Sequence, residues 1–148
     1  MPNFLIYSDG GSRGNPGPAA YGFTIKSENP KFEVRNSKFI GVATNNQAEY
    51  QGVLAALKFL KSEINSKLQI SKDSIIEVKC FLDSQLIVEQ MLGRYKIKNE
   101  GLKPLYWEIR ELIMELGGNV KFEHIPREKN KEADKLVNEA IDKSLLSS

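Results

Sequence analysis

The sequence predicts an α/β fold: a mixed β-sheet, antiparallel in its first part and parallel in its second, flanked by helices. Two observations predict it. Three runs rich in β-branched and aromatic residues follow one another near the start, and a meander of antiparallel strands is the simplest way to pair them. After them, segments of helical periodicity alternate with short apolar runs, the pattern of strand–helix–strand units whose strands lie parallel.

Phe4 to Asp9 is a short apolar run leading into the glycine-rich stretch Gly10 to Gly17, and reads as a buried strand. Ala20 to Lys26 and Phe32 to Val42 are the next two strands, joined by the turn-like Ser27-Glu28-Asn29-Pro30-Lys31. A helix is predicted from Thr44 to about Ile64, because Thr44 and Gln47 match a capping box and Val53, Ala56, Leu57, Leu60 and Ile64 recur at helical spacing. Ile75 to Leu82 is a strand, and Ser84 to Leu92 a short helix stopped by Gly93. Leu102, Leu105, Ile109, Leu112 and Leu116 mark a helix ended by Gly117-Gly118. Val120 to Ile125 is the last strand, closed by Pro126, and Lys131 to about Leu145 the last helix. No repeat or linker interrupts the chain, so residues 1–148 read as one domain.

Four carboxylates stand where these elements start or stop. Asp9 and Asp83 each follow a predicted strand, and parallel neighbours would place both at the carboxyl edge of the sheet. Glu49 precedes Val53 and Ala56 on the apolar face of its helix, and Asp134 precedes Val137 and Ile141 on another. Each has an ordinary reading of its own: a turn for Asp9, helix-end acids for Glu49 and Asp134, an N-cap for Asp83. Gathered together they would repel, since two unit charges ~4 Å apart cost on the order of 4 kcal/mol at an effective dielectric of ~20. Cations must neutralise such a cluster, and all-oxygen ligands select hard ions such as Mg²⁺, Mn²⁺ or Ca²⁺.

Composition sets the other bounds. The one cysteine, Cys80, excludes an internal disulfide and fits a reducing compartment, the cytoplasm; its apolar neighbours make it a buried thiol rather than a nucleophile. No apolar segment has the length of a membrane span, and the N-terminal MPNFLIYSDGG lacks the pattern of a signal peptide. A net charge of +2 is too small to identify a polyanionic partner by itself.

Asp9 with GGSRGNPG, TNNQAE at 44–49, LDSQ at 82–85 and HIPREKNKEAD at 124–134 resemble the type 1 ribonuclease H family over essentially the whole chain. The resemblance implies a five-stranded mixed sheet flanked by helices. It implies hydrolysis of the RNA strand of RNA–DNA hybrids with two divalent ions, Mg²⁺ with Mn²⁺ as substitute, giving 5′-phosphate and 3′-hydroxyl ends. Asp9, Glu49, Asp83 and Asp134 would be the metal ligands. By the family pattern Asn15 and Thr44 would hold a phosphate of the DNA strand, while Gly11, Asn45, Asn46 and Gln85 would reach the minor groove, whose 2′-hydroxyls suit short amides. Asn45 and Asn46 have a plainer reading as helix-capping residues. Double-stranded RNA is a second candidate substrate, and a monomer is expected.

The chain departs from the best-known bacterial pattern in two places. Gly93 to Lys103 is short, without the extra helix and basic protrusion of many members, yet keeps Arg94, Lys96, Lys98 and Lys103 against Glu100. That excess suits a DNA backbone; a solvated loop is the alternative. Nearby Trp107 is expected to pack rather than to stack on nucleic acid. His124 has the spacing of a mobile histidine used by the family, but it alternates with Val120 and Phe122 and is expected to be packed in the strand. Arg127, in the loop beyond Pro126, is preferred in the assisting role, which would be electrostatic because an arginine keeps its proton. Two rival readings are a non-catalytic nucleic-acid-binding domain of the same fold and a junction-resolvase-like nuclease. Retention of all four acids argues against the first, GNPG and TNNQAE against the second.

Overall fold

The computed structural model of the chain describes residues 1–71 and 73–147. Its elements are β1 (Asn3–Ser12), β2 (Gly17–Glu28), β3 (Lys31–Ala43), α1 (Asn45–Ser66), β4 (Glu77–Leu82), α2 (Gln85–Met91), α3 (Lys103–Glu115), β5 (Val120–His124) and α4 (Lys131–Leu146), with a single 3-10 turn at Arg127–Lys129. The five strands form one sheet in the order β3-β2-β1-β4-β5. β1, β2 and β3 are antiparallel neighbours; β4 lies parallel to β1, and β5 parallel to β4. The predicted mixed sheet is the observed one.

The two faces of the sheet are covered differently. Phe4 and Ile6 of β1, Phe23 and Ile25 of β2, and Val78, Cys80 and Leu82 of β4 are buried against Val53, Leu57 and Leu60 of α1, Ile87 of α2 and Ile109 of α3. This is the large core, and removing water from it is the main driving force for folding. On the opposite face a smaller cluster joins Ala20 of β2 to Val137 and Ile141 of α4. Small residues at the sheet surface let the helices come close. A Cβ on Gly22 would lie 2.6 Å from Leu136 Cβ of α4. A Cβ on Gly10 would lie 2.3 Å from the Ala48 carbonyl carbon of α1. Both distances are far inside van der Waals contact, so glycine at these two places sets the depth at which α1 and α4 sit.

Three expectations need correction, and one of the ordinary alternatives, an N-cap role for Asp83, falls away. β1 does not end at Asp9: Gly10, Gly11 and Ser12 continue it, paired with Tyr21, Ala20 and Ala19 of β2, so the glycines are strand rather than loop. Asp83 is not the N-cap of α2, because the Ser84 hydroxyl takes that place and accepts from Ile87 N–H. Trp107 is 66% exposed, touching Tyr106 edge-on, because the buried stripe of α3 runs through Ile109, Leu112 and Ile113 instead. His124 pairs with Leu82 at the end of β5 but is exposed, although Phe122 two residues before it is buried.

Candidate metal centre

Backbone register brings the first two carboxylates together. The parallel pairing of β1 with β4 runs to Tyr7↔Phe81, and Asp9 and Asp83 each lie two residues beyond that pair. β4 stops at Leu82, whereas β1 continues beside β2, so Asp9 is held in a strand and Asp83 in the bend before α2. Opposite Asp9 on β2 is Gly22, where α4 packs.

The capping of α1 delivers the third. Thr44 Oγ1 accepts from Gln47 N–H at 3.1 Å, and Gln47 Oε1 accepts from Thr44 N–H at 2.8 Å, completing the predicted capping box. The start of the helix is also tied to the β1–β2 connection: Asn45 N–H donates to Asn15 Oδ1 at 3.0 Å, and Asn45 Oδ1 accepts from Ser12 N–H at 2.9 Å. With the helix end fixed and Gly10 beneath it, Glu49 projects beside Asp9. Glu49 is 5% and Asp9 6% exposed.

One oxygen each of Asp9, Glu49 and Asp83 lie within 4.8 Å of one another. Asp134, in the first turn of α4, lines the same basin but stands outside that close group. The basin encloses about 370 Å³ and is also lined by Gly11, Asn45, Asn46 and Arg127. Arg127 therefore faces the acids from its 3-10 turn, and His124 does not line the basin. Asn15 and Thr44 lie outside its lining, at the base of α1, and Gln85 is exposed on the first turn of α2.

Electrostatics follow from burial. The Asp9 carboxyl is pushed up to about 7, first by loss of water and then by the charges of Asp83 and Asp134, although hydrogen bonds from Glu49 and Gly10 N–H hold it down in part. Glu49 is raised well above its ordinary value, first by burial and then by Asp9. Glu49 Oε2 is fully buried and has no hydrogen-bond partner. A buried carboxylate oxygen with no donor is costly. A cation of oxygen-ligand preference satisfies it, and the set of carboxylates offers only oxygen. The residues present therefore fit a hard divalent ion.

Two further residues at the site, Arg13 and Asn130, were not singled out from the sequence, although they lie within GGSRGNPG and HIPREKNKEAD. Asn130 is 1% exposed, and its Nδ2 donates to the Ser8 carbonyl at 2.9 Å and to Asp83 Oδ2 at 3.2 Å. It ties β1 and the Asp83 bend to the start of α4. Arg13 forms an ion pair with Asp142 at 2.6 Å and donates to Asn138 Oδ1 at 3.3 Å, closing the far wall of the basin.

Comparison with known proteins agrees with this architecture. The sequence profile of a family described as reverse transcriptase-like matches residues 7–140. A bifunctional protein of Mycobacterium tuberculosis is 39% identical over 144 residues, covering 97% of this chain. The chain spans only 36% of the length of that relative. Ribonuclease HI of Halobacterium salinarum is 35% identical over 136 residues, covering 92% of this chain and 63% of that protein. Among solved structures, LC11-RNase H1 in complex with an RNA/DNA hybrid superposes with a TM-score of 0.84 at 45% identity, covering 96% of this chain and 99% of that one. With the strand order, the acid cluster and these relatives in agreement, the chain belongs to the type 1 ribonuclease H family.

Proposed function

We propose that this chain hydrolyses the RNA strand of RNA–DNA hybrids with two divalent ions, Mg²⁺ with Mn²⁺ as substitute, leaving 5′-phosphate and 3′-hydroxyl ends. The observation that carries the reading is the group of Asp9, Glu49 and Asp83 within 4.8 Å, with a buried, partnerless Glu49 oxygen. The hybrid bound to LC11-RNase H1 supports the choice of substrate.

Asp9, Glu49 and Asp83 would hold the ions, with Asp134 joining from the rim. Bound divalent ions supply a water activated for attack on phosphorus and neutralise charge on the leaving oxygen. The chain's own residues do the rest. Asn130 orients Asp83. Gly10 and Gly11 keep the floor of the basin free of side chains, so that a sugar–phosphate chain can come close. Asn45 spends its carbonyl oxygen on Ser12 and keeps its amide hydrogens for the substrate, beside Asn46. Arg127 places a permanent positive charge where the cleaved phosphate gains charge. Asn15 and Thr44 would meet a phosphate of the DNA strand at the base of α1, and Gln85 the minor groove. Double-stranded RNA is a second candidate substrate because its minor groove presents the same hydroxyls. We read residues 1–148 as one domain acting as a monomer. Cys80, its thiol pushed up to about 12 by burial, takes no part and suits the reducing cytoplasm. Among the described residues no helix is long and apolar enough to cross a membrane.

The test is a gel assay on matched RNA–DNA hybrid, RNA duplex and DNA duplex. Cleavage of hybrid RNA with Mg²⁺ and none with chelator is expected. A hybrid left intact, or equal cutting of the DNA duplex, overturns the reading and favours the binding-domain or the resolvase-like alternative respectively.

A further inference from the structure

We propose that Arg13 clamps a phosphate of the RNA strand, and that Asp142 holds the guanidinium in the free protein and yields it when that phosphate arrives. The proposal rests on the hybrid-cleaving function above and adds to it a contact made away from the carboxylates.

Arg13 is the first residue after β1, and its base is fixed. Its N–H donates to the Pro18 carbonyl at 2.9 Å, and the N–H of the preceding Ser12 donates to Asn45 Oδ1 at 2.9 Å. The side chain reaches across to α4. Nη1 pairs with Asp142 Oδ1 at 2.6 Å, and Nη2 lies 3.3 Å from Asn138 Oδ1. Nε–H has no partner among the described residues. The ion pair is solvated: the Arg13 side chain is 40% and the Asp142 side chain 59% exposed. Such a pair adds little to stability, because water screens it and both side chains must be held still. A firm structural tie is therefore a poor account of it.

Position gives the pair a use. Among the described residues lining the carboxylate basin, Arg13 and Arg127 are the cations. Arg127 stands before α4, and Arg13 stands beside its second and third turns, at Asn138 and Asp142. At about 1.5 Å per residue the guanidinium lies roughly 6–12 Å along the helix from Asp134. A strand whose scissile phosphate meets the acids carries another phosphate within that reach, about two nucleotides on. Asp142 does not line the basin, so it draws the guanidinium from outside it. It offers one oxygen to one nitrogen, whereas a phosphodiester offers two oxygens to the guanidinium fork, the stronger arrangement. When the fork turns to the phosphate, the exposed Asp142 carboxylate is left in water and is not stranded. The exchange therefore costs little and gains a charge-assisted, bidentate grip.

The test is fluorescence anisotropy of a labelled hybrid in Mg²⁺, on an Asp9→Asn background so that the strand stays whole, with melting beside it. Arg13→Gln should raise Kd about fivefold and lower the slope of log Kd against log salt by about one, the mark of one lost phosphate contact. Asp142→Asn breaks the same ion pair but keeps the clamp, and should lower Kd about twofold. A structural tie predicts instead that both variants weaken binding alike. A neutral methylphosphonate linkage, moved one position at a time along the RNA strand, should weaken binding at one place and have no effect there in Arg13→Gln. Arg13→Lys, which keeps the charge without the fork, takes its place if Arg13→Gln melts early. Unchanged Kd in folded Arg13→Gln, equal methylphosphonate sensitivity with and without Arg13, or unchanged or weaker binding in Asp142→Asn overturns the proposal. Wild-type cleavage is followed separately. A wild type that binds hybrid and leaves it intact overturns the hydrolytic reading while the clamp stands; one that binds no hybrid overturns both.

Discussion

The side-chain amide of Asn130 donates to Asp83 Oδ2 at 3.2 Å and to the Ser8 carbonyl at 2.9 Å, from a position that is 1% exposed. One buried amide thus sets the distance between β1, the Asp83 bend and the first turn of α4. Asn130→Ala should weaken Mg²⁺ binding or lower turnover by about tenfold, the usual cost of losing a group that orients a metal ligand. Asn130→Asp should do worse, because it sets a carboxylate against Asp83 and a carbonyl oxygen. Mg²⁺ titration of the cleavage rate, alongside melting curves, checks both. Wild-type Mg²⁺ dependence and rate in a folded Asn130→Ala protein would show that Asp83 needs no such support.

Gly10→Ala should destabilise the protein by about 1–3 kcal/mol, the cost of overpacking. The new methyl would lie 2.3 Å from Ala48 carbonyl carbon and 2.4 Å from Glu49 N, so α1 must move, and Glu49 with it. Urea unfolding measures the loss. Activity should fall further than stability alone explains.

Acid should stabilise the metal-free protein around the site. The Asp9 carboxyl is raised from 3.8 to about 7 in the fold, and Glu49 is raised too. Over that window the folded state holds more protons than the unfolded chain, so stability falls as pH rises. The contribution is complete below about pH 4 and lost on passing through about pH 7. Melting in chelator should therefore be higher at pH 5.5 than at pH 8. Mg²⁺ should raise the melting temperature more at pH 8, where the ligands have given up their protons. Equal metal-induced shifts at both pH values would contradict a buried, protonated acid pair.

Arg127 should matter to turnover and His124 to little. Arg127 lines the carboxylate basin, and His124 is exposed at the end of β5 outside it. Arg127→Ala should lower kcat by about tenfold, roughly 1.4 kcal/mol, with melting unchanged. His124→Ala should leave both near wild type. Steady-state kinetics beside melting decides, and a slow, stable His124→Ala with an active Arg127→Ala reverses the assignment.

Much of this site was legible because its signals are local. Glu49 sits on the face of a helix whose start is written in Thr44 and Gln47, and Asp83 stands directly after the apolar run Cys80-Phe81-Leu82. What escaped depends on distance along the chain. Asn130 lies among Lys129, Lys131 and other charged residues, as any surface asparagine does, and becomes buried through a bond to a residue 122 positions away. Trp107 and His124 failed in the opposite sense. Size and alternation suggested burial, but no element of the fold comes to cover them. Asp9 was placed correctly on the sheet edge for an incomplete reason: the parallel ladder stops before it, while the antiparallel ladder carries β1 on to Ser12.

The central claim is that the carboxylate group holds the ions that hydrolyse RNA in a hybrid. Asp9→Asn keeps the shape of the side chain and removes one charge from the group. The most direct measurement is the single-turnover rate of hybrid cleavage by Asp9→Asn at saturating Mg²⁺, with the wild type beside it. The account predicts a loss on the order of a thousandfold or more, in a protein that without metal is at least as stable as wild type at pH 8 because a buried repulsion is gone. A wild-type rate in the folded variant would contradict it.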